Sequence, residues 1–292
     1  MSFTIVTDTS ANLPSPFLKQ HGVAVIPFSY IIDGKENVCL DTEAFDGTKY
    51  FDLIRSGVKV TTSQIPPQRY ADCFWPLLEQ GQDVLFVGMS SGISGAYASA
   101  EIAAEQLRED FPDRKLRLVD TLAASLGEGK SVLDAIACRE KGMSIDETAD
   151  MLLSKRQSLY QMVLLEDLMY LHRGGRVSGT KALLGTILGI RPLLKGNEKG
   201  ELVICGKVRG RAAGLAALAR KYEELVFDAE NQSVGIAHSD CPQDAEKLAE
   251  MLRTIRPPKE ILIECYEPVT GAHVGPGTVA LFFNGNDGVR GR

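Results

Sequence analysis

Apolar positions in the first half of the chain fall into short runs separated by segments with helical spacing. Phe3–Asp8 reads as a strand ending in the polar turn Thr9, Ser10, Ala11, Asn12, and Pro14 suits the start of a helix. The stretch 23–32 is apolar and too rich in β-branched and aromatic residues for a comfortable helix. Asp83–Gly88 and Leu116–Asp120 are further short strands, each followed by a small-residue loop. Helical patterns cover 67–80, 95–110, 124–141 and 145–158. Such βα alternation predicts an α/β fold with a parallel sheet flanked by helices, and ligands bind at the carboxyl ends of its strands.

The pattern changes near residue 158. A strand over 162–165, a short helix to Leu171, a loop from His172 to Arg176 and a helix over 178–188 are expected next. Strands follow over 190–195, 201–208, 233–238, 260–266 and 278–283, with helices over 211–228 and 243–253. The polar, glycine-rich tail, 284–292, is expected to fray. With 292 residues, two domains are the default, and the change of pattern divides them into 1–158 and 159–292.

Composition narrows the function classes. A net charge of -6 argues against a nucleic-acid partner. The first residues, MSFTIVTDTS, read as a strand and not a signal peptide, and no apolar run reaches the ~18 residues of a membrane span. Stable membrane insertion is therefore not expected. The six cysteines are scattered without a C-x-x-C pair, so zinc and dithiol sites are not expected, and reduced thiols in the cytoplasm are.

Five segments carry candidate chemistry. GMSSG, 88–92, matches the G-x-S-x-G elbow of hydrolases, with Ser90 as nucleophile, His238 or His273 as base and Asp240 or Glu267 as its orienting acid. Read one step on, SSGISG is a cradle of hydroxyls and N–H groups for an anion. ASLGEGKS, 124–131, ends like a phosphate-binding P-loop, but Ala124 stands where that motif has glycine. Its plainer reading is a helix start with Lys130 in solvent. TTSQ, 61–64, is either a turn or an anion site built from neutral donors. GAHVGPG, 271–277, surrounds His273 with residues that specify the backbone tightly. LHRGGRVS, 171–178, with Lys207, Arg209 and Arg211 of GKVRGR, makes a basic spot for phosphate or an acidic partner surface, or else a capping loop with solvated arginines.

In order, IVTDTSANLP, TTSQIPP, SSGISGAYASA, VDTLAASLGEGKS, LMYLHRGGRVSG, GIRPLL, KVRGR and GAHVGPGTVA resemble the DegV family of bacterial proteins over nearly the whole chain. The resemblance implies a two-domain fold, a parallel sheet flanked by helices plus a second mixed-sheet α/β domain, with a long-chain fatty acid in the interdomain cleft. Some members are the fatty-acid-carrying subunit of a bacterial fatty acid kinase, whose partner subunit supplies ATP and converts the bound acid to an acyl phosphate for phospholipid synthesis. The chain would then be a lipid-binding protein with no cofactor beyond its ligand, and not itself an enzyme. Carried over residue by residue, the carboxylate ligands are Thr62, Ser63 and Gln64, then Ser94 and Gly95, then His273. Arg176 would dock the kinase subunit, with Arg173, Lys207 and Arg209 nearby in charge. The chain departs from the family pattern at Ile65, which precedes Pro66, at Ala96, which replaces a threonine, and at Lys130, where an apolar residue is usual.

The chemistry fits this expectation. An acyl chain gains about 0.8 kcal/mol per buried CH₂, or roughly 10 kcal/mol gross for a C16-type chain. Leu183, Leu184, Ile187, Leu188 and Ile190 are candidates for its wall. A buried carboxylate needs partners, and neutral donors leave its oxygen nucleophilic. Three alternatives stand beside it: a serine esterase using Ser90 and His273, a self-contained kinase using the 124–131 loop, and a lipid carrier or sensor with no kinase partner.

Overall fold

A computed structural model describes residues 3–177 and 189–292. The chain opens with β1 (Phe3–Asp8), α1 (Ser15–Gln20), β2 (Val23–Ile26), β3 (Ser29–Ile32) and β4 (Lys35–Val38). It continues with α2 (Gly47–Arg55), β5 (Val60–Ser63), α3 (Pro67–Glu79), β6 (Asp83–Gly88), α4 (Ala96–Asp110), β7 (Leu116–Asp120), α5 (Leu126–Glu140) and α6 (Ile145–Lys155). Then come β8 (Leu159–Leu164), α7 (Met169–Gly174), β9 (Ile190–Gly196), β10 (Leu202–Arg209), α8 (Arg211–Leu225), β11 (Ser233–His238), α9 (Pro242–Ile255), β12 (Glu260–Cys265), α10 (Pro268–Val274) and β13 (Val279–Asn284).

The expected α/β architecture is present. A four-stranded parallel sheet has the order β2-β1-β6-β7, and a six-stranded mixed sheet has the order β10-β9-β8-β13-β11-β12. The apolar stretch expected as one element over 23–32 is two strands. Pro27 lies between them and cannot donate a ladder hydrogen bond, and the chain leaves the parallel sheet there. β3 joins a separate antiparallel sheet, β4-β3-β5, which the sequence pattern did not reveal because β4 is polar and exposed. The TTSQ segment supplies the end of β5 instead of a turn.

The layers explain the burial. Helices α3 and α4 cover one face of the parallel sheet, and α8 and α9 cover the outer face of the mixed sheet. Between the sheets lies α5, which contacts β1 and β6 on one side and β8, β11 and β13 on the other. β8 and β13 are consequently buried on both faces and are almost wholly apolar, apart from Gln161 within β8 and Asn284 at the end of β13.

This position corrects the P-loop reading of 124–131. Gly129 is small because a Cβ there would lie 2.5 Å from the Ala11 carbonyl, so close helix packing explains the glycine. Lys130 is 6% exposed, not in solvent, and its ammonium donates to the Ser233 carbonyl of the mixed sheet. The tail is also tied down and does not fray. Arg290 is 1% exposed and donates to the carbonyls of Leu122 (2.7 Å), Arg156 (3.1 Å) and Asn197 (3.2 Å).

Two buried acids hold the end of β1. Ser10 Oγ lies 2.5 Å from both Asp8 Oδ1 and Glu128 Oε2. One hydroxyl proton cannot serve both oxygens, so one carboxyl carries its own proton. Asp8 also accepts the Ser10 and Met89 amides, which makes it the carboxylate and Glu128 the acid. Burial pushes Asp8 up to about 6, and burial plus the Asp8 charge pushes Glu128 well above the usual carboxyl range. Raised folded values mean that stability is full below about pH 4 and is lost as pH rises through the folded titrations. Glu128→Gln keeps a donor and an acceptor while removing one titration. Its Tm should fall less than that of the wild type between pH 5 and pH 8, by at least about 2 °C in scanning calorimetry. Parallel curves would contradict the shared-proton arrangement.

Candidate functional site

The carboxyl ends of the parallel strands face the mixed sheet across a narrow cavity. Among the described residues its polar wall contains Thr62, Ser63, Gln64, Ser94, Thr270, His273 and Arg176. Its apolar wall includes Phe28, Met89, Ile93, Leu171, Leu202 and Val269. Its volume is about 50 Å³, so it is a narrow space. The space is a small slot with a largely apolar wall.

Each polar group has a local reason for its place. Thr62 projects from β5, and its Oγ1 lies 2.7 Å from His273 Nε2. Ser63, next along the strand, is exposed and borders the cavity at its rim. Ser94 is 9% exposed, and its Oγ accepts the Ala96 amide at 3.2 Å at the start of α4, leaving the hydroxyl proton free to donate. The Gly95 N–H has no protein partner among the described residues. Gln64 lies directly over Gly95 and reaches Ser99 Oγ at 3.4 Å.

His273 sits in the last turn of α10. Glu267 caps that helix through the Val269 and Thr270 amides (2.6 and 2.5 Å), and its own amide donates to Asn12 Oδ1 at 2.8 Å. Tyr50 Oη adds a 2.6 Å bond to the Pro268 carbonyl. A Cβ on Gly174 would lie 2.4 Å from His273 Nδ1, so the glycine of the HRGGR segment makes room for the ring. Burial, with help from the Arg176 charge, pushes the imidazole down to about 4, which keeps it neutral at pH 7. In the Nε2–H tautomer the ring donates to Thr62 Oγ1, and the Thr62 proton turns to the cavity.

The structure therefore brings Thr62, Ser63, Ser94 and His273 together at the cavity, while Gly95, next to Ser94, does not line it. Arg176, carried over from the family as a docking residue, borders the cavity and bonds back to the Gly174 carbonyl. Arg173 is exposed in an adjoining groove of about 680 Å³ that shares Thr62, Arg176 and His273 with the cavity. Lys207 and Arg209 are exposed on the edge strand β10 and line neither space. Arg211 is not part of a free basic spot, because it is bound to Asp244 at 2.8 Å and to the Gly277 carbonyl at 2.5 Å.

Other expectations need correction. Ser90 is fully buried, and its Oγ donates to the Gly200 carbonyl at 2.9 Å, so it ties the mixed-sheet hairpin to the loop before α4 and does not face His273. Asp240 is taken by Arg55 and Thr48, and Glu267 by the α10 amides. The esterase constellation is not assembled. Ile190 is absent from the cavity lining, and Leu183, Leu184, Ile187 and Leu188 lie outside the described residues. Ile65 is fully buried in the core with Phe28 and Tyr70. Ala96 is 1% exposed and does not line the cavity.

A family model described as an uncharacterised DegV family matches residues 2–286. The chain belongs to the DegV family. A DegV domain-containing protein of Clostridium perfringens is 37% identical over 97% of this chain and 98% of its own length. A solved structure described as fatty acid binding of a DegV family protein from Thermus thermophilus superposes with a TM-score of 0.85 at 30% identity, covering 98% of this chain and 100% of that one. A DegV family structure from Ruminococcus gnavus with vaccenic acid superposes at 0.87 over 97% of this chain and 99% of that one, and at 20% identity it speaks for the fold. No helix among the described residues is long and apolar enough to cross a membrane.

Within this DegV-family site, sequence reasoning missed Thr270. Thr270 lines the cavity, and its hydroxyl is buried without a hydrogen-bond partner among the described residues. Thr270 precedes His273 by three residues, one helical turn, so recognising 268–274 as a helix would have put both on one face.

The neutral histidine makes a pH prediction. Unfolded histidine titrates near ~6.5. Below that pH the unfolded chain takes up a proton that folded His273 refuses, so stability falls as pH drops from about 6.5 towards 4. His273→Gln should remove on the order of 2 kcal/mol of that loss at pH 4.5. Urea midpoints at pH 7 and pH 4.5 measure it, and equal losses in wild type and variant would refute it.

Proposed function

We propose that this chain binds a long-chain fatty acid, with its carboxylate in the slot, and presents it to a separate kinase subunit for conversion to an acyl phosphate. The observation that carries the reading is the convergence of unspent donors on one apolar cavity. Thr270 Oγ1 has no protein partner among the described residues, the Ser94 proton is free to turn inward, and the Thr62 proton is too when His273 carries its proton on Nε2. Unpaired donors in an apolar cavity are costly, and a carboxylate satisfies several at once.

The ligand set of this proposal is Thr62, Ser63, Ser94, Gly95 and His273, joined by Thr270. Neutral hydroxyl and amide donors hold the acid and leave electron density on the oxygen that must attack phosphorus. Arg176 at the rim adds a positive charge where a phosphoryl group would arrive. The carboxylate attacks the γ-phosphorus, the bond to the nucleotide's bridging oxygen breaks, and the nucleoside diphosphate leaves with that electron pair. The nucleotide and its metal belong to the partner. The apolar wall takes the acyl chain, and in this proposal the chain divides into domains 1–158 and 159–292 with residues of both around the slot. Arg173, Arg176, Lys207 and Arg209 are the proposed docking residues for the kinase subunit, acting through charge complementarity.

The first test is mass spectrometry of a denatured extract of the purified protein, which should release a fatty acid at up to one equivalent. A protein that carries none and cannot be loaded would rule the reading out. Ser94→Ala and Thr270→Val should each weaken binding about five- to tenfold, or about 1 kcal/mol, in a displacement titration. Arg173→Ala lies clear of the slot. It should leave fatty-acid binding unchanged and lower acyl phosphate formation with the kinase subunit. Loading without any turnover by a kinase from the same cell would leave a lipid carrier as the function.

A further inference from the structure

A second cleft lies on the far side of α5, where the ends of α5 and α6 meet the loops around β11 and β12. It measures about 630 Å³ and is lined by Lys130, Lys141, Lys155 and Lys259, with Asp134, Asp228 and Asp287 among them. Lys130 is the unusual member. It stands in the second turn of α5, away from the helix C-terminus that favours lysines. Its ammonium is buried, and the Ser233 carbonyl is its one hydrogen-bond partner among the described residues. Lys141, Lys155 and Lys259 form no ion pair or side-chain hydrogen bond among those residues. Burial and the Lys155 charge push Lys130 down, against the pull of Asp134, to about 8.

A buried ammonium is costly to desolvate; the Asp134 charge offsets part of that cost and the Lys155 charge adds to it. The GEGKS lysine is therefore a buried cation that ties α5 to β11 and lines a cleft separate from the fatty-acid slot. We propose that this cleft binds the phosphate group of a small phosphorylated metabolite. Lysine acts as a point charge towards phosphate, so a dianion reached by Lys130, Lys155 and Lys259 relieves the repulsion without a fixed fork geometry. Asp134 and Asp287 accept hydrogen bonds from hydroxyls on the body of such a molecule. They also repel the long polyanionic backbone of a nucleic acid. The inference stands apart from the fatty-acid reading, because the two cavities share no lining residue.

The test uses the full chain at pH 7, with sodium phosphate, ribose 5-phosphate and phosphatidic-acid vesicles as probes and sodium chloride of matched ionic strength as control. Both soluble phosphates should raise the Tm beyond the control, with ribose 5-phosphate the stronger, and vesicles should not co-sediment with the protein. Lys130→Met should weaken the effect at least fivefold and leave fatty-acid loading unchanged. Because Lys130 also bridges two layers, Lys259→Ala, at an exposed position, is the companion variant and should weaken it at least threefold. No shift beyond the salt control, a shift that Lys259→Ala retains in full, or binding to vesicles alone would overturn the proposal.

Discussion

The 2.7 Å contact between Thr62 and His273 joins a strand from the first half of the chain to a helix from the second, across the slot. Its neighbours are arranged to keep it. The imidazole must be neutral to sit there, and burial beside Arg176 makes it so. The ring needs space, which Gly174 leaves by having no side chain. The helix that carries it needs an anchor, which Glu267, Asn12 and Tyr50 provide. Remove any of these and the hydroxyls around the slot lose their common aim.

The same economy of contact explains two motifs that mimic enzymes. GMSSG and GEGKS both look like sites that act on substrates. In the folded chain their small residues are spent on close approach between layers. Ser90 clasps the hairpin of the mixed sheet through the Gly200 carbonyl, and Gly129 presses on the Ala11 carbonyl. Helix α5 is sandwiched between two sheets, and that position demands small residues wherever backbone meets backbone. A loop after a parallel strand and a helix between sheets thus select the same composition as a catalytic elbow or a phosphate loop, for reasons of volume.

Electrostatics divides the interior into two regimes. Around the slot the donors are neutral hydroxyls and amides, with one arginine at the edge. Beneath it, Asp8, Ser10 and Glu128 share protons and tie β1 to the turn after β6 and to α5. On the far side of α5, Lys130 is a buried cation. One helix thus separates an acid-holding network from a base-lined cleft, and its central position lets it touch both.

Much of the fold was legible in the sequence because periodicity and burial coincide. Phe3–Asp8, Asp83–Gly88 and Leu116–Asp120 were read as strands and are β1, β6 and β7. The gathering of Thr62, Ser94 and His273 was expected by family resemblance, since no local pattern relates residues so far apart. Thr270 was hidden because a short helix inside a glycine-rich segment has too little periodicity to show. The frayed tail and the exposed Lys130 were misread because polarity alone predicts exposure, while Arg290 and Lys130 find carbonyl partners from distant elements. The sequence by itself determined the alternation of strands and helices, the small-residue loops and the residue types able to meet an anion. Only the tertiary structure decided which hydroxyls are unspent, which charges are buried and which glycines make room for a neighbour. Those properties depend on contacts between segments that share no local spacing, and they exist only once the layers have closed.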